Sequence, residues 1–452
     1  MAETRFFSRD EAEAIASKVL GFSRADEARV NINSTVTGNT RFAQNQVSTS
    51  GDTRNGTVAV TSAWGRRVAS ATTNRFDDES LRQVVETSER LARLVPEDPE
   101  YLGELGPHQY PESRGFFEST AGLVPEERAR AVLSITRPAQ QRGLVSTGFL
   151  TFSAGSQTVA TRRGLFAYNQ SSRVNFTTTV RTPDGTGSGW AGTGQSDWSR
   201  VRPEELAERA IRKAELSRNP QAVEPGEWTV VLEPTAVANL VQLMVTAMNA
   251  RNADEGRSFF SKPGGGNRIG EKFLDSRVTL WSDPSDPDLA SPPFNNQGLP
   301  NRRVVWVENG VLRNLQYDRF WAQQKGVQPT GGGGTSAFYM RGGDSSVEDM
   351  IASTERGLLV TRFWYIRAVD PRTILYTGLT RDGTFLIENG RIVSAVKNLR
   401  YNESPVFMLN NIEMIGEPVA VSASESGDVS QSVVVPALRV RDFTFSSISD
   451  AV

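Results

Sequence analysis

The run Ala28-Arg-Val-Asn-Ile-Asn-Ser-Thr-Val-Thr37 puts Ala28, Val30, Ile32 and Val36 on one side of an extended chain and polar residues on the other. That is the pattern of a strand with one solvated face. Similar runs rich in Val and Thr follow at Gln46 to Thr53, Thr57 to Trp64 and Arg67 to Thr73, with turn signals at Gly38-Asn39, Asn55-Gly56 and Gly65. Together they predict an antiparallel meander. A helix precedes it: Ser8 and Glu11 form a capping box, and Gly21 ends the segment. A second helix follows over Asp77 to Val95, with Leu81, Val84, Val85, Leu91 and Ala92 on one side and Pro96 as its stop.

Farther along, residues 97–118 are rich in Pro, Gly and charge and read as an excursion. A helix starts near Pro125, strands occupy Leu144 to Thr182, and Asp184 to Gly194 reads as a glycine-rich turn region. Pro203 opens a helix with an acidic first turn (Glu204, Glu205) and a basic end (Arg212, Lys213, Arg218), which suits the helix dipole. Asn219 to Gly226 reads as a linker. A strand at Trp228–Leu232 and a helix over 234–250 begin the second half. Strands are then expected at Val278–Trp281, Val304–Val307, Val311–Tyr317, Arg362–Val369, Gly383–Glu388, Arg391–Val396 and Val433–Val440. Glu308-Asn309-Gly310 and Glu388-Asn389-Gly390 carry the Asn-Gly pair of type I′ hairpins. The expected class is α+β in two domains: residues 1–222 as an N-terminal α+β domain, and 223–452 as a C-terminal domain dominated by antiparallel β-sheet.

At 452 residues, two domains are also the expectation from length. The formal net charge of −2 offers no basic groove for nucleic acid and no cationic patch for a membrane surface. Apolar stretches are too short for a transmembrane helix. The opening MAETRFFSRDEAEA has no apolar run, so no signal peptide is expected. Zero cysteines removes any disulfide framework. A soluble cytoplasmic protein is the resulting expectation.

Cysteine and histidine are also the usual ligands of zinc and most transition metals. This chain has no Cys and one His, His108, in an expected surface loop. No Ser-His-Asp or Cys-His arrangement can be assembled. Gly187-Ser-Gly189-Trp-Ala-Gly192 fits G-x-G-x-x-G but opens no helix, and Gly331 to Gly334 lacks the Lys-Ser/Thr of a P-loop. Gly264 to Gly266 also precedes no helix start. Asp283, Asp286 and Asp288 sit among two prolines and lack the glycine of a calcium loop, so they read as a solvated turn.

Several segments carry a resemblance. Thr40-Arg-Phe-Ala-Gln-Asn-Gln46 and Gly65-Arg-Arg-Val-Ala-Ser-Ala-Thr-Thr-Asn74 stand in the N-terminal half. Gly256-Arg-Ser-Phe-Phe260, Gly270-Glu-Lys-Phe273, Pro293-Phe-Asn-Asn-Gln-Gly-Leu-Pro300, Val307-Glu-Asn-Gly310 and Pro329-Thr-Gly331 follow in the C-terminal half. In order and spacing this set resembles the TldD/PmbA family. The resemblance implies zinc peptidases with a His-Glu-x-x-x-His helix before the Gly256-like segment and a Cys ligand near the C-terminus. Carried onto this sequence, the first His falls on Val241, the Glu on Gln242, the second His on Thr246 and the Cys near Ser422.

The helix reads Asn239-Leu-Val-Gln-Leu-Met-Val-Thr-Ala-Met248, and its Val237, Leu240, Val241, Met244, Val245 and Met248 follow a 3.6-residue period. Apolar core is therefore expected where the family holds metal, with Val241 buried and Thr246 beside it on the inner side of the domain. No catalytic residue and no metal or other cofactor is expected in this chain. The pattern resembles the TldE/PmbA type. It implies a heterodimer with a zinc-bearing TldD-type paralogue and the degradation or processing of unstructured peptides, including peptide natural products and small antitoxin-like proteins. Asn295, Asn296, Thr330 and Gly331 are the expected cleft-lining residues. A homodimeric peptide-binding protein and an autonomous peptidase using another site are the rival readings.

Overall fold

The structure, a computed structural model, describes residues 6–289, 291–331, 337–422 and 433–449. Its N-terminal half has α1 (Arg9–Phe22), β1 (Glu27–Ala43), β2 (Gln46–Trp64), β3 (Arg67–Thr73), α2 (Asp78–Leu94), α3 (Glu118–Ala121) and α4 (Pro125–Gln141). Then come β4 (Val145–Thr161), β5 (Phe166–Arg181), β6 (Ser188–Gln195) and α5 (Pro203–Leu216). The six strands form one antiparallel sheet in the order β3-β2-β1-β4-β5-β6. Helices cover one face. Against them pack the alternate residues Val30, Ile32, Phe42, Leu150, Phe152, Val174 and Phe176.

The meander is present, but its first turns lie elsewhere. Gly38 and Gly56 sit inside long strands, and the β1–β2 hairpin turns at Gln44-Asn45, both with positive φ. Gly38 serves close approach instead: a Cβ there would lie 2.2 Å from the Phe152 ring. The expected turn region 184–194 is largely strand β6. Leu91 faces outward, 38% exposed, while Ser88 and Glu89 of α2 are buried. Glu89 explains the exchange, because its carboxylate accepts from the Arg24 and Ala25 amides and the Ser23 hydroxyl.

The C-terminal half has β7 (Gly226–Leu232), α6 (Pro234–Thr246), α7 (Ala250–Asp254), β8 (Leu280–Ser282), β9 (Val304–Glu308), β10 (Val311–Leu312), α8 (Arg319–Lys325), β11 (Tyr339–Met340) and α9 (Val347–Ala352). It continues with β12 (Arg356–Asp370), β13 (Leu375–Glu388), β14 (Arg391–Ala395), β15 (Leu399–Glu403), α10 (Pro405–Asn410), β16 (Ile412–Val421) and β17 (Val433–Ile448). These strands form one mostly antiparallel sheet. Within it β7, β12, β13, β15 and β17 pair in a closed ring, because β7 bonds both to β12 and to β17. The fold is α+β with a two-domain architecture. No helix among the described residues is long and apolar enough to cross a membrane.

β12 and β13 begin at Arg356 and Leu375, earlier than the strands expected from Arg362 and Gly383, and two further boundaries move. The strand expected over Val311–Tyr317 is only Val311–Leu312, and the helix expected over 234–250 ends at Thr246. Asn249 explains the second change: its side chain accepts from the Asn252 amide and starts α7 as a separate helix.

Candidate functional site

Helix α6 starts with Pro234, whose fixed φ and missing N–H suit a first turn. It is apolar almost all round and packs against β12 and β17, as a helix enclosed by sheet should. Val241 is fully buried, in one apolar cluster with Met244, Phe363, Tyr401 and Val421. Gln242 is half-buried. Thr246 is exposed, and its hydroxyl donates to the Leu243 carbonyl at 3.0 Å. Residues five apart on a helix are about 140° apart around its axis, so Val241 turns inward while Thr246 turns out. The expectation that the two lie together on the inner side fails for Thr246.

Ser422 is buried at the end of β16, against β6; a Cβ on Gly194 would come within 3.2 Å of the Ser422 amide nitrogen. A zinc ion does not fit this set. Val241 offers only carbon, Gln242 and Thr246 offer neutral oxygens, and none of the four positions carries an imidazole or thiolate. Among the described residues, no group of three or more His, Cys, Asp and Glu could hold a metal. His108 is exposed in its loop. Asp283 and Asp286 accept from the amides two residues ahead of them, as turn residues do.

Asn295 and Asn296 form a turn that reaches across to the N-terminal sheet. The Asn295 Oδ1 accepts from the Gln297 and Leu299 amides. Asn31 donates to the Asn296 carbonyl at 2.8 Å, and Gln157 donates to its side-chain oxygen at 3.0 Å. Tyr110 donates to the Gly298 carbonyl at 2.8 Å. Thr330 exchanges bonds with the Tyr317 backbone, and Gly331 (φ +81) packs so closely on Asn301 that a Cβ would lie 2.5 Å from its side-chain oxygen. The two expected cleft segments are thus neighbours, and the Asn296 turn rests on the sheet.

That sheet face, opposite the helices, was not singled out in the sequence. It carries Asn31, Asn33, Thr35, Thr37 and Asn39 on β1, and Gln157 and Ser153 opposite them on β4. The C-terminal domain meets it at two places. Phe294 joins the apolar cluster of Val159, Leu165 and Ala167 at one end. At the β6 end, Arg362 lies over the Trp190 ring at 4.9 Å and pairs with Asp382 at 2.6 Å, while Ser188 donates to Asp382. Burial acts to raise the Asp382 carboxyl, but Arg362, Ser188 and Arg381 more than offset it and hold it below its ordinary range. A cavity of about 620 Å³ opens beside this corner, lined by Ser188, Asn219, Asp382, Thr384 and Asn398. The face thus meets the Asn296 turn at one end and, through Gly194, packs against Ser422 at the other.

Comparison with known proteins fits this architecture. Residues 28–92, 125–218 and 225–447 match models of domain 1, the central domain and the C-terminal domain of the PmbA/TldA metallopeptidases. A metalloprotease TldD homolog of Buchnera aphidicola is 23% identical over 270 residues, covering 55% of this chain and 54% of that protein. A zinc metalloprotease TldD homolog of Saccharolobus solfataricus is 22% identical, covering 46% and 48%. The chain spans about half the length of the curated relatives it matches. The fold is that of TldE from Thermococcus kodakarensis, with a TM-score of 0.84 at 18% identity, covering 96% of this chain and 99% of that one. A Thermotoga maritima protein described as a putative modulator of DNA gyrase gives 0.82, also at 18% identity, covering 96% and 100%. The three consecutive domain matches place this chain in the PmbA/TldD metallopeptidase family.

Proposed function

We propose that this chain is a metal-free, TldE/PmbA-like subunit of a cytoplasmic heterodimeric peptidase. Its partner is a TldD-type paralogue that carries the zinc. This chain completes the chamber and positions unstructured peptides for cutting or trimming. Its domains divide at residues 222 and 223. Val241, Gln242, Thr246 and Ser422 are the degenerate counterparts of the ligand and general-base positions. The reading is supported above all by Val241, an apolar residue fully buried where a first ligand would stand. A Gln at the next position cannot take a proton from water as a carboxylate can.

The test is to purify the chain alone and with a TldD-type paralogue from the same genome. A stable one-to-one complex is expected, with faster cleavage of unfolded peptides than the paralogue gives alone. Cleavage by this chain alone that survives chelation and further purification would overturn the reading, as would a partner indifferent to its presence.

A further inference from the structure

The polar sheet face has an uneven distribution of charge. Strand register fixes which side chains share it. They run from Asn31 to Arg41 on β1, Thr49 to Ala59 on β2, Thr147 to Val159 on β4, Ala167 to Arg181 on β5 and Ser188 to Gly194 on β6, taking alternate residues. None of these positions is Asp or Glu, although the chain has 52 acidic residues against 50 basic ones. The charges that do occur are Arg41, Arg173 and Arg181. The outer part of the face is open: Asn33, Arg41, Thr49, Thr53 and Asn55 are all exposed. Arg41 lies over the Phe149 ring at 5.6 Å, and no carboxylate of the described residues is recorded as pairing with it.

The edge of the same sheet is bare. Strand β3 covers β2 only from Val58 to Trp64, so Gln46 to Thr57 has β1 on one side and no described strand on the other. That stretch contains no Lys and no Pro, and its charges are Arg54 and Asp52, the latter paired with the buried Arg128.

We propose that the outer face and the β2 edge together dock an extended, acidic segment of the unfolded peptide. The segment adds as a strand beside β2, and its carboxylates are drawn to Arg41, whose neighbours on this part of the face include no Asp or Glu. This rests on the peptide-handling function proposed above and adds to it a substrate class and a place.

Fluorescence anisotropy with the full chain tests this, using three labelled, unstructured Ser/Gly peptides that carry Glu, Lys or no charge. The Glu peptide should bind about tenfold tighter than the Lys peptide, and the gap should close at about 0.5 M salt. Arg41→Glu should abolish the preference while Arg41→Lys keeps it, both with unchanged melting temperature. Thr53→Glu, at the exposed edge, should weaken the Glu peptide as well. Equal binding of all three peptides, or a silent Arg41→Glu, would refute the acidic docking site and leave the peptidase-subunit reading standing. The same division follows if the chain activates a zinc-bearing partner yet binds none of the peptides. A homodimer dissolved by Thr53→Glu and untouched by peptide would assign the edge to a second copy and refute the proposal.

Discussion

The ammonium of Lys213 on α5 lies 2.6 Å from the carboxylate of Glu233, the residue that caps α6. The pair joins the two domains at the base of the helix that carries Val241. Burial lowers the affinity of Lys213 for its proton, and Glu233 works against that. Removing one partner strands the other. Glu233→Gln should therefore cost about 3 kcal/mol in urea unfolding. Lys213→Met should cost less, because the α6 dipole still favours a carboxylate at its N-terminus. The double variant should recover much of the loss, and simple additivity of the two would show that the pair is not coupled.

Val241→Asp places an unpaired carboxylate in the apolar cluster of α6, β12 and β17. A loss of about 3 kcal/mol or more is expected, or failure to fold. A folded variant of unchanged melting temperature would contradict the packing described for α6.

Installing two imidazoles should not make a metal site. In Val241→His/Thr246→His one side chain starts in the core and the other at the surface. Elemental analysis after a light chelator wash should find no stoichiometric zinc. About one zinc per chain would mean that α6 can rotate these positions together.

Glu403, at the end of β15, is buried, and the Ser404 and Thr444 amides donate to its carboxylate. Burial first, with Glu227 adding, pushes its carboxyl up to about 7. The folded protein thus holds a proton that the unfolded chain releases near pH 4.5. This contribution is fully present below that value and is lost as pH rises through about 7. Stability should fall between pH 5 and 8 from this group, and Glu403→Gln should flatten that slope. An unchanged slope in the variant would show that Glu403 is ionised throughout.

Gly310→Ala should cost about 2 kcal/mol or more. The residue has φ +78, and an added Cβ would lie 2.1 Å from the Leu274 carbonyl oxygen, where backbone must move. Calorimetry showing less than half that effect would indicate that the 274–278 loop yields easily.

Some of this architecture was legible because the chemistry is local. Asn309-Gly310 and Asn389-Gly390 both adopt the positive φ of the expected hairpin turns. Ser8 and Glu11 form the expected capping box. Glycine was ambiguous wherever its reason was tertiary: Gly38 and Gly56 resemble turn residues until the Phe152 and Phe76 rings are seen against them. The core role of Val241 followed from helical period. The outward position of Thr246 follows from the same period, about 140° from Val241, and the expectation that missed it came from the family resemblance. Asn31, Asn33, Thr35 and Thr37 looked like an ordinary solvated strand face, because nothing local says which loops will come to rest on it.

Strand β17 pairs with β7, β11, β15 and β16, and its partner β7 lies some two hundred residues earlier in the chain. A ribosome therefore delivers the keystone of the second sheet after every other strand in it. Until residues 433–448 emerge, β7 and β16 have exposed edges and α6 lacks one of its walls. The first sheet, complete by Gln195, can fold long before. This protein's nascent chain is thus a finished domain trailing an open, apolar half, and that interval is when chaperones would have most to hold.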